Sequence, residues 1–164
     1  MPLGAFKAAL MGTAGAAGGY GYSTGGQFEN DGVNVNIIDK FPFASDSNAT
    51  DIADLTVARR FCSGNQSSVS GYTGGGYASS PSDVIDKFAF ASDGDATDVG
   101  DLIDAETYGA GASSNENGYT FGGYLGAGVV TDIIQKFSFS SDGNASDIAD
   151  LSGDRLLNAG ISAP

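Results

Sequence analysis

Large and small side chains alternate along Lys87-Phe88-Ala89-Phe90-Ala91, the period of two expected for a strand with one buried face. The alternation recurs at Phe41 and Phe43, and again at Phe137 and Phe139. An apolar pair precedes each of these stretches: Ile37-Ile38-Asp39-Lys40, Val84-Ile85-Asp86-Lys87 and Ile133-Ile134-Gln135-Lys136. Polar turn residues follow, as Ser92-Asp93-Gly94-Asp95 and Ser141-Asp142-Gly143-Asn144. Asp-Gly between alternating segments predicts a type I′ hairpin, because that turn needs positive φ. The first copy has Asp46-Ser47-Asn48 at this place, a less ideal turn. Returning strands are then expected at Asp51-Ile52-Ala53-Asp54-Leu55, Asp98-Val99-Gly100-Asp101-Leu102 and Asp147-Ile148-Ala149-Asp150-Leu151.

These segments are three copies of one unit. Lys-Phe falls at 40, 87 and 136, so the copies are spaced by 47 (87 − 40) and 49 (136 − 87) residues. A second motif keeps the same rhythm: Gly21-Tyr22-Ser23-Thr24-Gly25-Gly26, Gly71-Tyr72-Thr73-Gly74-Gly75-Gly76 and Gly118-Tyr119-Thr120-Phe121-Gly122-Gly123. It reads as another strand ending in a glycine pair, where the chain turns with positive φ or a neighbouring backbone comes close. Small residues before it, as in Arg60-Phe61-Cys62-Ser63-Gly64 and Thr107-Tyr108-Gly109-Ala110-Gly111-Ala112, predict a fourth short strand. The expected organisation is a single repeat domain over 1–164, with repeats at about 6–56, 57–103 and 104–152 and a partial closing strand at 153–164. Four strands per unit is the size of one propeller blade.

Composition narrows the function. Gly is abundant at 26 residues, yet 41% of the chain is hydrophobic, more than a disordered chain carries. With 20 acids against 7 bases the net charge is −13, which disfavours partnership with nucleic acid or with an anionic membrane surface. One cysteine, Cys62, allows no disulfide within the chain. Residues Met1–Lys7 lack the basic start and long apolar core of a signal peptide, and no stretch approaches the length of a membrane span. These features predict assembly in a cytoplasm.

The glycine doublet after an apolar strand, in a unit of about fifty residues, resembles the kelch repeat. The resemblance covers the chain from about Phe6 onward and departs from that family in the absence of any Trp, whose packing place falls to Phe and Ile. The near-identical wording of Lys-Phe-x-Phe-x-Ser-Asp-Gly-Asn-Ala is similar to kelch-like repeats in virion proteins of marine and cyanobacterial phages. That resemblance implies a non-enzymatic phage virion protein, a knob-like capsid decoration that docks on the major capsid protein or another virion component.

Propellers close with about 4–8 blades, so three repeats predict a homodimer of six. Arg155, Leu156 and Leu157 align with Arg59, Arg60 and Phe61 and begin a fourth repeat, a candidate junction strand. Phe6, Leu10 and Met11 sit in the first-strand slot of the first repeat and are candidate assembly residues that compete with it. A β-trefoil or β-prism monomer with pseudo-threefold symmetry also uses three units of about four strands, and it remains the alternative fold.

Candidate chemistry is sparse. The chain has no His, which excludes Ser-His, Cys-His and zinc-histidine sites. Arg59 and Arg60 beside Cys62 could activate a thiolate, but a buried packing role fits better. Asp93, Asp95 and Asp98, echoed by Asp142, Asn144 and Asp147 and by Asp46, Asn48 and Asp51, are spaced as calcium ligands without the usual bidentate Glu. A hairpin turn already accounts for them, so no cofactor is expected. Tyr22, Tyr72 and Tyr119 either pack between repeats or stack on a host glycan, which makes a tail-associated carbohydrate-binding adsorption module the second functional reading.

Overall fold

The structure, a computed structural model, describes residues 19–163. It is all-β, with eleven strands, antiparallel pairing throughout and no helix among the described residues. The first sheet has three strands, β1 (Tyr20–Thr24), β2 (Ile37–Pro42) and β3 (Thr50–Asp54), in the order β1-β2-β3. The second has β4 (Ser63–Gln66), β5 (Ser70–Gly74), β6 (Ser82–Ala89) and β7 (Thr97–Glu106), also paired in sequence order. The third repeats that layout with β8 (Ala110–Ser113), β9 (Asn117–Gly126), β10 (Val129–Ser138) and β11 (Ser146–Asp150). Strand β7 carries the second sheet past residue 103, and Phe6, Leu10 and Met11 lie outside the described residues.

The two sequence motifs meet across one strand pair. Gly21 faces Phe41, Gly71 faces Phe88 and Gly118 faces Phe137 in the registers of their sheets. Each phenylalanine ring lies over its glycine so closely that a Cβ there would overlap the ring. An aromatic ring over a strand glycine covers backbone that has no side chain of its own and pins the register. A bulge at the same step of each copy, between Ile38 and Asp39, Ile85 and Asp86, and Ile134 and Gln135, twists the middle strand.

The glycine doublets serve the passage from one sheet to the next. Gly25, Gly75 and Gly122 have φ near 63, 62 and 63°. A Cβ on any of them would strike the carbonyl oxygen of Arg59, Glu106 or Arg155. Those same carbonyls accept hydrogen bonds from the Gly26, Gly76 and Gly123 amides at 2.9, 2.7 and 2.8 Å. Two residues further on, Phe61, Tyr108 and Leu157 have φ of 61, 62 and 58°, a conformation uncommon for bulky side chains.

The turn expectation is corrected. Seven residues, 90–96, separate β6 from β7, and seven, 139–145, separate β10 from β11. Gly94 does not adopt positive φ, so Asp93-Gly94 is not a type I′ turn. The polar side chains of these loops are drawn to the preceding sheet instead. The tight two-residue connection lies between β9 and β10, where Ala127 and Gly128 have φ of 52 and 86°, both positive as type I′ requires.

Candidate functional site

The chemistry of this chain is concentrated where sheets face each other. At the first junction, Tyr22 of β1 stacks on Phe90 with ring centroids 5.0 Å apart and touches Phe88 at 5.4 Å. At the second, Tyr72 of β5 stacks on Phe139 at 4.8 Å and touches Phe137 at 5.6 Å. Burial pushes the Tyr72 phenol above its usual range. Around the first tyrosine, Ile38, Leu55, Phe88 and Ala96 form a buried cluster; around the second, Tyr72, Ile85, Leu102 and Phe137 form its counterpart. Desolvation of these side chains is the main force holding sheet to sheet.

Polar contacts repeat with the apolar ones. Lys40 reaches Asp93 at 2.9 Å, and Lys87 reaches Asp142 at 2.9 Å. These hydrogen bonds raise both lysine pKa values. The Asp54 amide donates to Asp95 Oδ1 at 3.1 Å, and the Asp101 amide donates to Asn144 Oδ1 at 3.1 Å. In return the Ala96 and Ala145 amides donate to the Asp54 and Asp101 carbonyls at 2.8 and 2.7 Å.

Deeper in each junction one slot is filled in two ways. At the first, Arg59 is fully buried and donates to Asp86 Oδ2 at 3.0 Å and to the Thr73 carbonyl at 3.0 Å. Asp86 also accepts from the Thr56 hydroxyl at 2.7 Å and the Thr56 amide at 3.1 Å. At the second, Glu106 takes the place of Arg59, Gln135 that of Asp86 and Ile103 that of Thr56. Gln135 donates to Glu106 Oε2 at 3.0 Å and accepts the Ile103 amide at 2.6 Å. Burial pushes the Glu106 carboxyl up to about 8, and its Oε1 has no hydrogen-bond partner. A neutral carboxyl is the form such a site favours.

The calcium candidates do not converge. Asp93 and Asp142 are taken by lysines, Asp95 by a backbone amide, and Asp98 by the Gly100 amide at 3.2 Å. No group of three acidic or sulfur ligands is close enough to hold a metal among the described residues; Asp147 lies on exposed β11. Cys62 is half-buried, and burial pushes its thiol up to about 11, the opposite of an activated nucleophile. Tyr22 and Tyr72 each have an aromatic neighbour from the next sheet, while Tyr119 has no stacked ring among the described residues.

Beyond β11 the chain follows the same route as after β3 and β7. The Arg155 amide donates to the Thr131 carbonyl at 3.3 Å, as Arg59 does to Val35 at 3.2 Å. The Leu157 amide donates to the Tyr108 carbonyl at 3.0 Å, as Tyr108 does to Phe61. Gly160 then packs on the Gly111 carbonyl as Gly111 packs on that of Gly64. The segment therefore lies beside β8 as β8 lies beside β4. Leu156 is half-buried, whereas Leu157 and Ile161 are exposed. An open cavity of about 500 Å³ lies along these inner segments, between Tyr22, Asn65, Ala112 and Ser162.

No protein-family model matches the chain, and no curated protein matches it. Among solved structures it is similar to that described as "Structure of YjhT", with a TM-score of 0.67 and 13% sequence identity over 83% of this chain and 51% of that one. The likeness is one of fold, and the chain spans about half the length of that neighbour.

Proposed function

We propose that this chain is a non-enzymatic assembly protein: three kelch-like propeller blades, two copies of which close a six-bladed homodimeric ring. The observation that carries this reading is the repetition of one contact set at both internal junctions, with Tyr22 and Lys40 matched by Tyr72 and Lys87. Repeated units that contact only their neighbours leave an unsatisfied face at each end unless they close. Six blades fall within the range of closed propellers, whereas three do not. The rival trefoil or prism would need its three units to close on each other. The segment after Arg155 lies beside β8 as β8 lies beside β4, which supports a continuing array over a closed set of three.

The role we propose for this ring is structural, as a phage capsid decoration held on the viral shell, and it rests on the phage-like wording of the repeat. The acidic surface is free to meet a partner, while the polar groups of the junctions are taken up in holding sheet to sheet. The test is quantitative protein mass spectrometry of purified particles and of tailless shells from the source virus. A fixed copy number per shell is the expected result. Absence from shells, together with saturable binding to a glycan array, would overturn it in favour of the adsorption module.

A further inference from the structure

We infer that the face of the third sheet docks on the face of the first sheet of a second copy, remaking the internal junction a third time. This rests on the half-propeller reading and specifies which residues make the contact.

The apolar evidence is a core cluster split in two. Ile38 and Ile85 are fully buried at their junctions, but the equivalent Ile134 of the third sheet is only half-buried. Conversely, Phe88 and Phe137 are 5% and 4% exposed, whereas the equivalent Phe41 of the first sheet is 37% exposed and its neighbour Phe43 is 68% exposed. Tyr119 offers the ring that Tyr22 and Tyr72 place between two phenylalanines, and Phe41 with Phe43 offers the pair, 5.7 Å apart and edge to face. The internal pairs have the same geometry, at 5.8 and 5.9 Å. Each end thus holds the half that the other lacks, as a self-complementary two-fold pair requires.

The polar evidence is a match of charge in the deep slot. The two internal junctions fill it with Arg59 on Asp86 and with Glu106 on Gln135. The third sheet ends with Arg155 in the slot position, and the first sheet presents Asp39 in the facing one. The combination is that of the first junction, and Ser152 stands where Thr56 supplies its hydroxyl. A Glu at position 155 or a Lys at position 39 would have broken the match. In this chain Arg155 is exposed and, among the described residues, its guanidinium bonds only to its own turn, to Ser152 Oγ at 2.8 Å and the Gly153 carbonyl at 3.2 Å. Lys136 and Asp46 occupy the positions that Lys40 and Asp93 hold in the rim pairing.

Reversing each charge separately tests the pairing. Asp39→Arg and Arg155→Asp are each purified and checked for unchanged far-ultraviolet circular dichroism; native mass is then measured over a concentration series. The wild type is expected near 33 kDa, twice 16.5 kDa. Each single variant should dissociate, with a dissociation constant raised about 100-fold or more, since it sets like charges together in a desolvated contact. An equimolar mixture should recover the dimer, because one variant carries two arginines and the other two aspartates, so both junctions are again opposite in charge. Variants that stay dimeric with the wild-type dissociation constant would overturn this interface while leaving the ring reading in place. Variants that dissociate yet fail to combine would show that Asp39 and Arg155 do not face each other, and would overturn the pairing. A wild type monomeric at every concentration would overturn both readings.

Discussion

The first and second junctions share one backbone plan and solve its buried polar slot differently. Arg59 and Asp86 form a buried ion pair in which Thr56 supplies two further donors to the carboxylate. Glu106 and Gln135 form a carboxyl–amide pair, and the carboxyl keeps one unpartnered oxygen. The first arrangement sets opposite charges against each other, and there too one atom, Arg59 Nε, has no hydrogen-bond partner. The second has no cation, and desolvation lifts the Glu106 pKa. The slot fixes where the side chains sit, and the partner present decides the protonation state that can be buried there.

The largest effect should come from breaking the ion pair. Arg59→Ala or Asp86→Ala leaves one buried charge alone and should cost about 3–5 kcal/mol in urea unfolding. Installing the second junction's solution as Arg59→Glu with Asp86→Gln should recover a large part of that loss. A double variant no more stable than the sum of its single changes would show that the two slots are not equivalent.

The next effect is pH-dependent and belongs to the other junction. Glu106 titrates near 8 when folded against an ordinary value of 4.5. Between these values the unfolded chain releases this proton and the folded chain keeps it, so stability falls as pH rises through the window. Glu106→Gln should therefore stabilise by about 4 kcal/mol at pH 8 and by little at pH 4.5. Thermal unfolding of both proteins across that range checks the sign; an unchanged difference would mean that the carboxyl is solvated.

Smaller effects test what the junctions share. Gly71→Ala places a methyl group inside the Phe88 ring position, and displacing that ring should cost about 1–3 kcal/mol. Lys87→Met removes the rim contact to Asp142, which is more than half exposed. Such pairs contribute below about 1 kcal/mol, and the difference should vanish in 1 M salt, roughly where the screening length falls to about 3 Å.

Three-fold recurrence made the strand pairing legible. Phe41, Phe88 and Phe137 each face the glycine of the Gly-Tyr motif as a cross-strand neighbour, although 20, 17 and 19 residues separate the pairs. The role of Tyr22 and Tyr72 was visible only as two options, since the pattern cannot say whether a ring faces the next sheet or water. The deep slot was not legible. Glu106 and Gln135 break the wording of the repeat, and their meaning appears only when the sheets are side by side. The Asp-Gly turn misled because cross-sheet bonds to Lys40, Lys87, Asp54 and Asp101 stretch those loops over the preceding sheet. Positive φ at Phe61, Tyr108 and Leu157 has no local signal, since none of these residue types favours it.

The central claim is that the outer faces of the first and third sheets are two halves of one junction. Native mass spectrometry of the purified chain at low salt tests it most directly. The account predicts a discrete species near 33 kDa, twice the 16.5 kDa chain, without a ladder of higher multiples, because a two-fold ring satisfies both ends at once. A stable 16.5 kDa species at all concentrations, or an open-ended series of oligomers, would contradict it.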